Sequence, residues 1–154
     1  MKPHILITLA LLLPTACDAP RVPVVHLDQT DGEAPFERVE EACAFWGLDC
    51  YEADDEDGAL TIMLGDRCAH DQRHGDEPLC GEVFDEDPCS PMLFAAYWDM
   101  ALEHEIGHVF GLKHSDDEAN VMFWFGAMGT ESSEQQERRV QRRARALAAC
   151  PGPW

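Results

Sequence analysis

The feature that most constrains this chain is a run of twelve residues, 104–115, with the sequence HEIGHVFGLKHS. On a helix, residues four apart share a face one turn apart, so His104 and His108 present their imidazoles at a spacing that a single metal ion can bridge. Gly111 lacks a Cβ and favours the left-handed turn that ends a helix, and the returning chain brings His114 in as a third ligand. Three histidines leave one position of a tetrahedral zinc open, which is typical of catalytic sites.

The acidic residue of this run, Glu105, follows the first histidine directly. It is poorly placed to be a further ligand from the same helix face. It is well placed to reach a water molecule held in the open position of the metal. We therefore expect Glu105 to take part in chemistry rather than in metal binding.

The pattern His-Glu-x-x-His-x-x-Gly-x-x-His resembles the signature of the metzincin metallopeptidases, and Ser115, after the third histidine, resembles the matrixin branch. Met122 lies eight residues beyond His114 and is similar in position to the methionine turn beneath the zinc of that family. The chain departs from matrixins at Phe123-Trp124, where Tyr-Pro is usual. It also lacks a tyrosine two residues after Met122, so the extra tyrosine ligand of astacins and serralysins has no counterpart. The resemblance is strong over residues 93–130.

The resemblance implies a zinc-dependent endopeptidase with one catalytic Zn²⁺. Hydrolysis would use a metal-activated water, with Glu105 as general base passing the proton to the leaving amine. Met122 would form the floor under the three imidazoles. An extended protein or peptide substrate would add to a sheet edge, for which we select residues 81–85 as the last strand before the active-site helix.

The aromatic residues after the methionine turn are candidates for the specificity pocket. In matrixins this segment builds the wall of the pocket for the residue just after the cut bond, and here it holds Phe123, Trp124 and Phe125. An apolar pocket would favour Leu, Met or Phe at that substrate position and disfavour Asp or Glu. The alternative is that all three aromatic side chains belong to the core.

Two other functions remain open at this point. One is hydrolysis of a non-protein amide such as a cell-wall peptide, which a panel of casein, gelatin and peptidoglycan fragments would separate from general endopeptidase activity. The other is a catalytically silent, zinc-bearing surface lipoprotein. The presence of Glu105 disfavours the silent protein, because this carboxylate is not needed merely to hold zinc.

The first sixteen residues, 1–16, have the character of an export signal. An early lysine precedes the apolar run 5–13, which is too short for a permanent membrane span. Residues 13–17, LPTAC, resemble a bacterial lipobox, although Pro14 stands where leucine is usual. We expect lipidation of Cys17, a tether over 17–21 and a protein anchored at the cell envelope; ordinary cleavage nearby would leave it secreted or periplasmic.

Cysteine number agrees with that interpretation. Seven cysteines is an odd number for an exported protein, and assigning Cys17 to a lipid leaves an even set. We expect three disulfides among the six that remain, with the pairing left open: Cys43, Cys50, Cys68, Cys80, Cys89 and Cys150.

The charge balance limits the partners. The chain has 30 Asp and Glu against 11 Lys and Arg, for a net charge of -19. This balance argues against nucleic acid and against an anionic membrane surface, so that the lipid would be the one membrane contact. It suits divalent cations, and we expect a monomer. Five of the arginines fall in 138–145, after Glu131, Glu134 and Glu137, an order that matches the helix dipole of a solvated helix.

The periodicity of the remaining sequence predicts a single α+β domain over residues 22–154, with a twisted mixed sheet. Strands are expected at 22–27, 48–52, 59–64 and 81–85, and helices at 35–46, 99–110 and about 133–149. Residues 92–98 are apolar almost throughout, so periodicity alone does not decide their structure. With Ser90-Pro91 as a plausible helix start, we favour these residues as the leading turns of the active-site helix.

Two other segments carry side chains that could bind a metal ion. The acidic turn 54–58 could hold Ca²⁺, but a solvated loop is the preferred interpretation. His70, His74 and Asp76 could form a second metal site, but ordinary surface histidines are preferred.

Overall fold

The computed structural model describes residues 19–30, 35–54, 58–65, 69–70, 78–85, 89–96, 100–123 and 129–150 of the chain. In chain order its elements are β1 (Arg21–Asp28), α1 (Phe36–Phe45), β2 (Asp49–Glu52), β3 (Leu60–Gly65), β4 (Ala69–His70), β5 (Pro78–Leu79), β6 (Gly81–Asp85), β7 (Met92–Ala96), α2 (Ala101–Val109) and α3 (Glu134–Leu147). Among these described residues, no helix is long and apolar enough to cross a membrane.

The main sheet has five strands in the order β2-β1-β3-β7-β6, and β4 pairs with β5 in a separate two-stranded ribbon. The first four strands of the main sheet run parallel to their neighbours, while β6 pairs antiparallel with β7 at the sheet edge. Helices α1 and α2 pack on this sheet and on each other. The predicted α+β class with a mixed sheet and three helices is confirmed.

Residues 92–96 correct one of our predictions. We favoured helix for 92–98, but Met92–Ala96 is strand β7. It lies between β3 and β6, and Thr61 of β3 donates a backbone hydrogen bond of 2.9 Å to the carbonyl of Pro91. A strand with neighbours at both edges and apolar contacts on both faces has no polar alternation, which is why its sequence was ambiguous. Ser90-Pro91 therefore precedes a strand, and β7 replaces β6 as the last strand before α2.

Helix α1 and the residue that follows it, Trp46, hold α2 through two contacts. The guanidinium of Arg38 donates from Nη1 and Nη2 to the two carboxylate oxygens of Glu103, at 2.7 and 2.6 Å. The indole of Trp46 donates to the carbonyl of Glu103 at 2.8 Å. Gly47, with φ of 67°, ends this segment as the sequence predicted. The first turn of α2 is thus held through both the backbone carbonyl and the side-chain carboxylate of Glu103.

One disulfide is local, and another joins segments that are distant in the sequence. Cys43 of α1 is bonded to Cys50 of β2, and Cys89 is bonded to Cys150 beyond the end of α3. Cys80 is also disulfide-bonded, whereas Cys68 lies outside the described residues. The expected use of these cysteines in disulfides is confirmed for the five that the structure describes.

Helix α3 begins with a capping box and buries one face. Ser133 and Gln136 form this reciprocal capping box, in which each side chain accepts a hydrogen bond from the backbone N–H of the other. The buried stripe consists of Val140, Ala144 and Leu147.

Candidate metal centre

Helix α2 and the turn after it bring three histidines together. His104 and His108 lie one turn apart, and their Nε2 atoms are 2.9 Å from each other. Gly111 adopts φ of 75°, and its N–H donates to the carbonyl of His108 at 2.7 Å, so the helix ends in a left-handed turn. The returning chain places Nε2 of His114 3.1 Å from Nε2 of His108. The spacing and the turn that we predicted from the sequence therefore produce one compact cluster.

The outward nitrogens of two imidazoles are held by backbone carbonyls. Nδ1 of His104 donates to the carbonyl of Val121 at 2.8 Å, and Nδ1 of His108 donates to the carbonyl of Leu112 at 3.0 Å. A carbonyl only accepts, so the proton of each neutral ring is on Nδ1 and the lone pair is on Nε2. Burial lowers the pKa of His104 to about 4 and also lowers the pKa of His108, which keeps both rings neutral at pH 7.

This donor set fits a zinc ion. Nε2 lone pairs that face one another at about 3 Å repel unless a cation lies between them. A tetrahedral zinc with bonds of 2.0–2.1 Å to nitrogen would hold its ligand atoms about 3.3 Å apart, close to the observed separations. Three neutral imidazole ligands would leave one coordination position for water or substrate.

Met122 lies against the helix that carries the histidines. Its side chain is fully buried, and a Cβ built on Gly107 of α2 would overlap with its Sδ atom. The carbonyl of Met122 also accepts a hydrogen bond of 2.7 Å from the N–H of Ser115, the residue after His114. Met122 is therefore in contact with both segments that supply the histidines.

The turn that holds Met122 is fixed by an amide pair that sequence reasoning did not detect. Oδ1 of Asn120 accepts from the N–H of Met122 at 2.9 Å. The side chains of Asn120 and Gln136 exchange two hydrogen bonds, of 2.9 and 3.1 Å. Gln136 thus joins the capping box of α3 to the turn whose Val121 carbonyl orients His104. Gln136 belongs to an S-x-x-Q pattern at 133–136, which is a signal for a capping box and not for a link to Asn120, and we predicted neither.

Glu105 is buried and packs against the edge strand. A Cβ built on Gly81 would overlap with Cγ and Oε1 of Glu105, so the carboxyl occupies the space that a side chain at position 81 would need. Burial, reinforced by the charge of Glu82, raises the pKa of Glu105 to about 8. No sequence pattern pointed to Gly81, because the side chain that excludes a Cβ at position 81 belongs to Glu105, 24 residues away.

A cavity of about 390 Å³ lies beside Glu105 and His108, between Val83 of β6 and the turn at Gly111. Of the proposed pocket aromatics, Phe123 is partly buried and donates its backbone N–H to the carbonyl of Asn120, while Trp124 and Phe125 lie outside the described residues. Four other predicted features also lie outside them: Cys17 with residues 1–16, the centre of the acidic turn 54–58, His74 and Asp76. For His70 the structure describes only the backbone.

Comparisons with known proteins agree with this architecture. The crystal structure of metalloproteinase-II from Bacteroides fragilis superposes with a TM-score of 0.57 at 12% sequence identity, over 86% of this chain and 55% of that one. The chain therefore spans about half the length of that protein, and the likeness is one of fold. None of the curated proteins matches the chain in sequence. Residues 36–141, more than half of the chain, match the Matrixin family, and the chain belongs to that family.

Proposed function

We propose that the chain is a zinc-dependent endopeptidase in which His104, His108 and His114 hold the metal and Glu105 is the general base. The observation that carries this proposal is the convergence of the three histidine Nε2 atoms beside a buried carboxyl group. Membership of the Matrixin family supports the zinc-dependent chemistry and a protein or peptide substrate.

Zinc bound at this site would supply a Lewis acid that acidifies water and polarises the scissile carbonyl. Glu105 would accept the proton of the attacking water on a carboxylate oxygen and then donate it to the nitrogen of the leaving amine. Burial favours the protonated form of this carboxyl, which helps Glu105 to hold the proton between the two transfers. The contact with Gly81 would limit the positions open to this carboxyl, so that its oxygen stays directed at the reacting water.

The substrate would bind in an extended conformation along β6. This strand is the edge of the main sheet next to α2, and its outer side has no neighbouring strand among the residues described. Backbone N–H and C=O groups on such an edge can pair with an added peptide strand. Because Glu105 packs against Gly81, a peptide on β6 would pass directly beside the proposed base.

The residue after the cut bond would enter an apolar pocket with Phe123, Trp124 and Phe125 in its wall. Leu, Met and Phe would then be preferred there over Asp and Glu. Cleavage-site profiling on a diverse peptide library tests this specificity, and a profile without apolar enrichment at that position would rule it out.

The proposed activity is tested with purified protein lacking residues 1–17. Zinc-loaded protein should cleave casein or library peptides, lose this activity with a chelator and regain it with zinc. Glu105→Gln should keep one zinc per chain and lose turnover by about 10²-fold or more, because the amide cannot accept the proton. His108→Ala should lose the zinc as well. A Glu105→Gln variant with wild-type turnover would contradict the assignment of the base.

We also propose that residues 1–16 direct export, that Cys17 carries a lipid, and that 22–154 form the catalytic domain. The disulfides Cys43–Cys50 and Cys89–Cys150 support an oxidising compartment, where such bonds persist. Cys17→Ser should release the protein from membranes. Mass spectrometry of the mature N-terminus is the independent measurement, and a start at a residue other than Cys17 would refute lipidation.

A further inference from the structure

Two positive charges line the cavity beside the proposed base. Its lining also includes Glu105 and His108, the C-terminal end of α2 and Val83 of β6. The basic side chains in its lining are Lys113, from the turn after α2, and Arg143, from α3. Neither is part of the metal cluster, so the proposed chemistry leaves both unexplained.

The tertiary structure places these cations together. Arg143 lies 30 residues beyond Lys113 in the sequence, and its guanidinium rests against Gly111, where a Cβ would overlap with Nη1 and Cζ. Both side chains are exposed. Within the part of the chain that the structure describes, neither has an ion-pair or side-chain hydrogen-bond partner. Their charges are therefore available to a molecule that enters the cavity.

This pair of cations stands out against the charge of the whole chain. Acidic side chains outnumber basic ones by 30 to 11, so a negatively charged substrate is repelled at long range. Salt screens that repulsion beyond about 8 Å, whereas a charge-assisted hydrogen bond to a guanidinium or an ammonium group acts at direct contact. A preference for negative charge in the cavity would therefore be confined to one substrate position.

We propose that Lys113 and Arg143 form a subsite that binds the carboxylate of an Asp or Glu residue in the peptide substrate. This inference rests on the proposed peptidase function. Val83 lies two residues from Gly81, against which Glu105 packs, and two strand residues span about 6.6 Å. The acidic residue thus binds two to three positions from the cut bond, at a different position from the residue that enters the apolar pocket.

The test uses zinc-loaded protein and a set of peptides with one fixed cleavage site. A single Glu is moved through the three positions on each side of the cut bond, and each peptide is compared with its Gln counterpart. We expect the Glu-to-Gln ratio of kcat/KM to reach about 3 to 10 at one position two or three residues from the cut bond, and this ratio to fall as NaCl is added.

Variants assign the preference to the two cations. Lys113→Gln and Arg143→Gln should each lower the ratio by about 3-fold, and Lys113→Glu should shift the preference towards a Lys-bearing peptide. Arg145→Gln is the matched control, because Arg145 is exposed on the same helix and does not line the cavity. The ratio is insensitive to a general loss of activity, so a variant that is partly misfolded remains informative.

The outcomes separate this inference from the proposed function. Cleavage of peptides with a Glu-to-Gln ratio near 1 at every position would overturn the subsite alone. If no peptide is cleaved, the proposed function fails, and the subsite is then decided by fluorescence anisotropy with the same labelled peptides and the Glu105→Gln variant. Equal affinity for Glu and Gln peptides in that assay would overturn it, whereas tighter binding of one Glu peptide, lost in Lys113→Gln, would support it.

Discussion

The two sides of helix α2 differ in what they contact. The side that carries Glu103 and Gly107 packs against α1 and the methionine turn, through Arg38, Trp46 and Met122. The opposite side carries His104, Glu105 and His108, of which Glu105 and His108 line the cavity and Glu105 contacts the edge strand. Contacts on the first side are buried and already satisfied by the protein. The second side presents nitrogen lone pairs and a buried carboxyl, whose proposed functions require bound metal and substrate.

We therefore expect different residues of this nine-residue helix to determine the stability of the fold and the activity of the site. Substitutions on the packed side should change the free energy of unfolding, and those on the cavity side should change turnover or metal affinity. Substitutions on each side of the helix and a pH titration test this division.

The largest effect is expected from the buried ion pair. Arg38→Ala removes the bidentate partner of Glu103, whose side chain is only 7% exposed, and should destabilise the protein by about 3–5 kcal/mol. Chemical denaturation measures this change. The double variant Arg38→Met with Glu103→Gln removes both charges and should be more stable than Arg38→Ala. Equal stability of the two variants would show that an uncompensated charge is not the cause.

Two glycines provide a matched comparison of the two sides. Gly81→Ala forces Glu105 to move, and turnover should fall about 100-fold, or about 2.7 kcal/mol, with the zinc content unchanged. Gly107→Ala overlaps with Met122 in the core instead and should cost about 1–3 kcal/mol of stability. Steady-state kinetics, zinc analysis and thermal unfolding are measured on both variants. The division fails if both substitutions act on the same quantity.

The amide pair of Asn120 and Gln136 should control metal affinity. Gln136→Ala breaks both the capping box and the link to Asn120, whereas Ser133→Ala breaks the capping box alone. Each should lose about 1 kcal/mol of stability, but only Gln136→Ala should weaken zinc binding, by about 10-fold, because the turn that orients His104 is loosened. Competition with a chelator gives the zinc Kd. Equal zinc Kd values for the two variants would leave Gln136 with a capping function only.

The stability of the zinc-free protein should also depend on pH. Burial raises the pKa of Glu105 from 4.5 to about 8, so its contribution to stability is fully present below pH 4.5 and is lost as pH rises through 8. Zinc-free Glu105→Gln has no carboxyl to titrate. Its free energy of unfolding should therefore rise relative to that of the wild type, by at most about 1.4 kcal/mol per pH unit between pH 4.5 and 8. Urea titrations of both proteins measure the difference, and a difference independent of pH would contradict the burial of a titrating carboxyl.

In the same experiment, His104 should make the free energy of unfolding rise with pH, which is opposite to the effect of Glu105. Its pKa is lowered by burial from 6.5 to about 4, so its contribution is present above pH 6.5 and is lost as pH falls towards 4. Zinc-free Glu105→Gln, which lacks the opposing carboxyl, should therefore lose stability on acidification over this range.

Local patterns predicted most elements because their causes are local. The spacing of apolar residues predicted α1 and α3, and β6 was predicted with its observed bounds, Gly81–Asp85. Residues 92–96 were predicted wrongly because an apolar run has no periodicity that distinguishes a strand from a helix. The segment is a strand because it pairs with β3 on one side and with β6 on the other. Pairing decided this segment, and pairing is not visible in a window of a few residues.

The sequence alone determined the histidine cluster, because helix geometry relates His104 to His108 and the Gly111 turn relates both to His114 within eleven residues. Only the tertiary structure decided what surrounds it. Gly81, Gln136 and Arg143 reach the site from other elements, and their contacts depend on how strand, turn and helix pack together. Short-range backbone geometry is encoded in neighbouring residues, whereas close packing between distant segments emerges only when the whole chain folds.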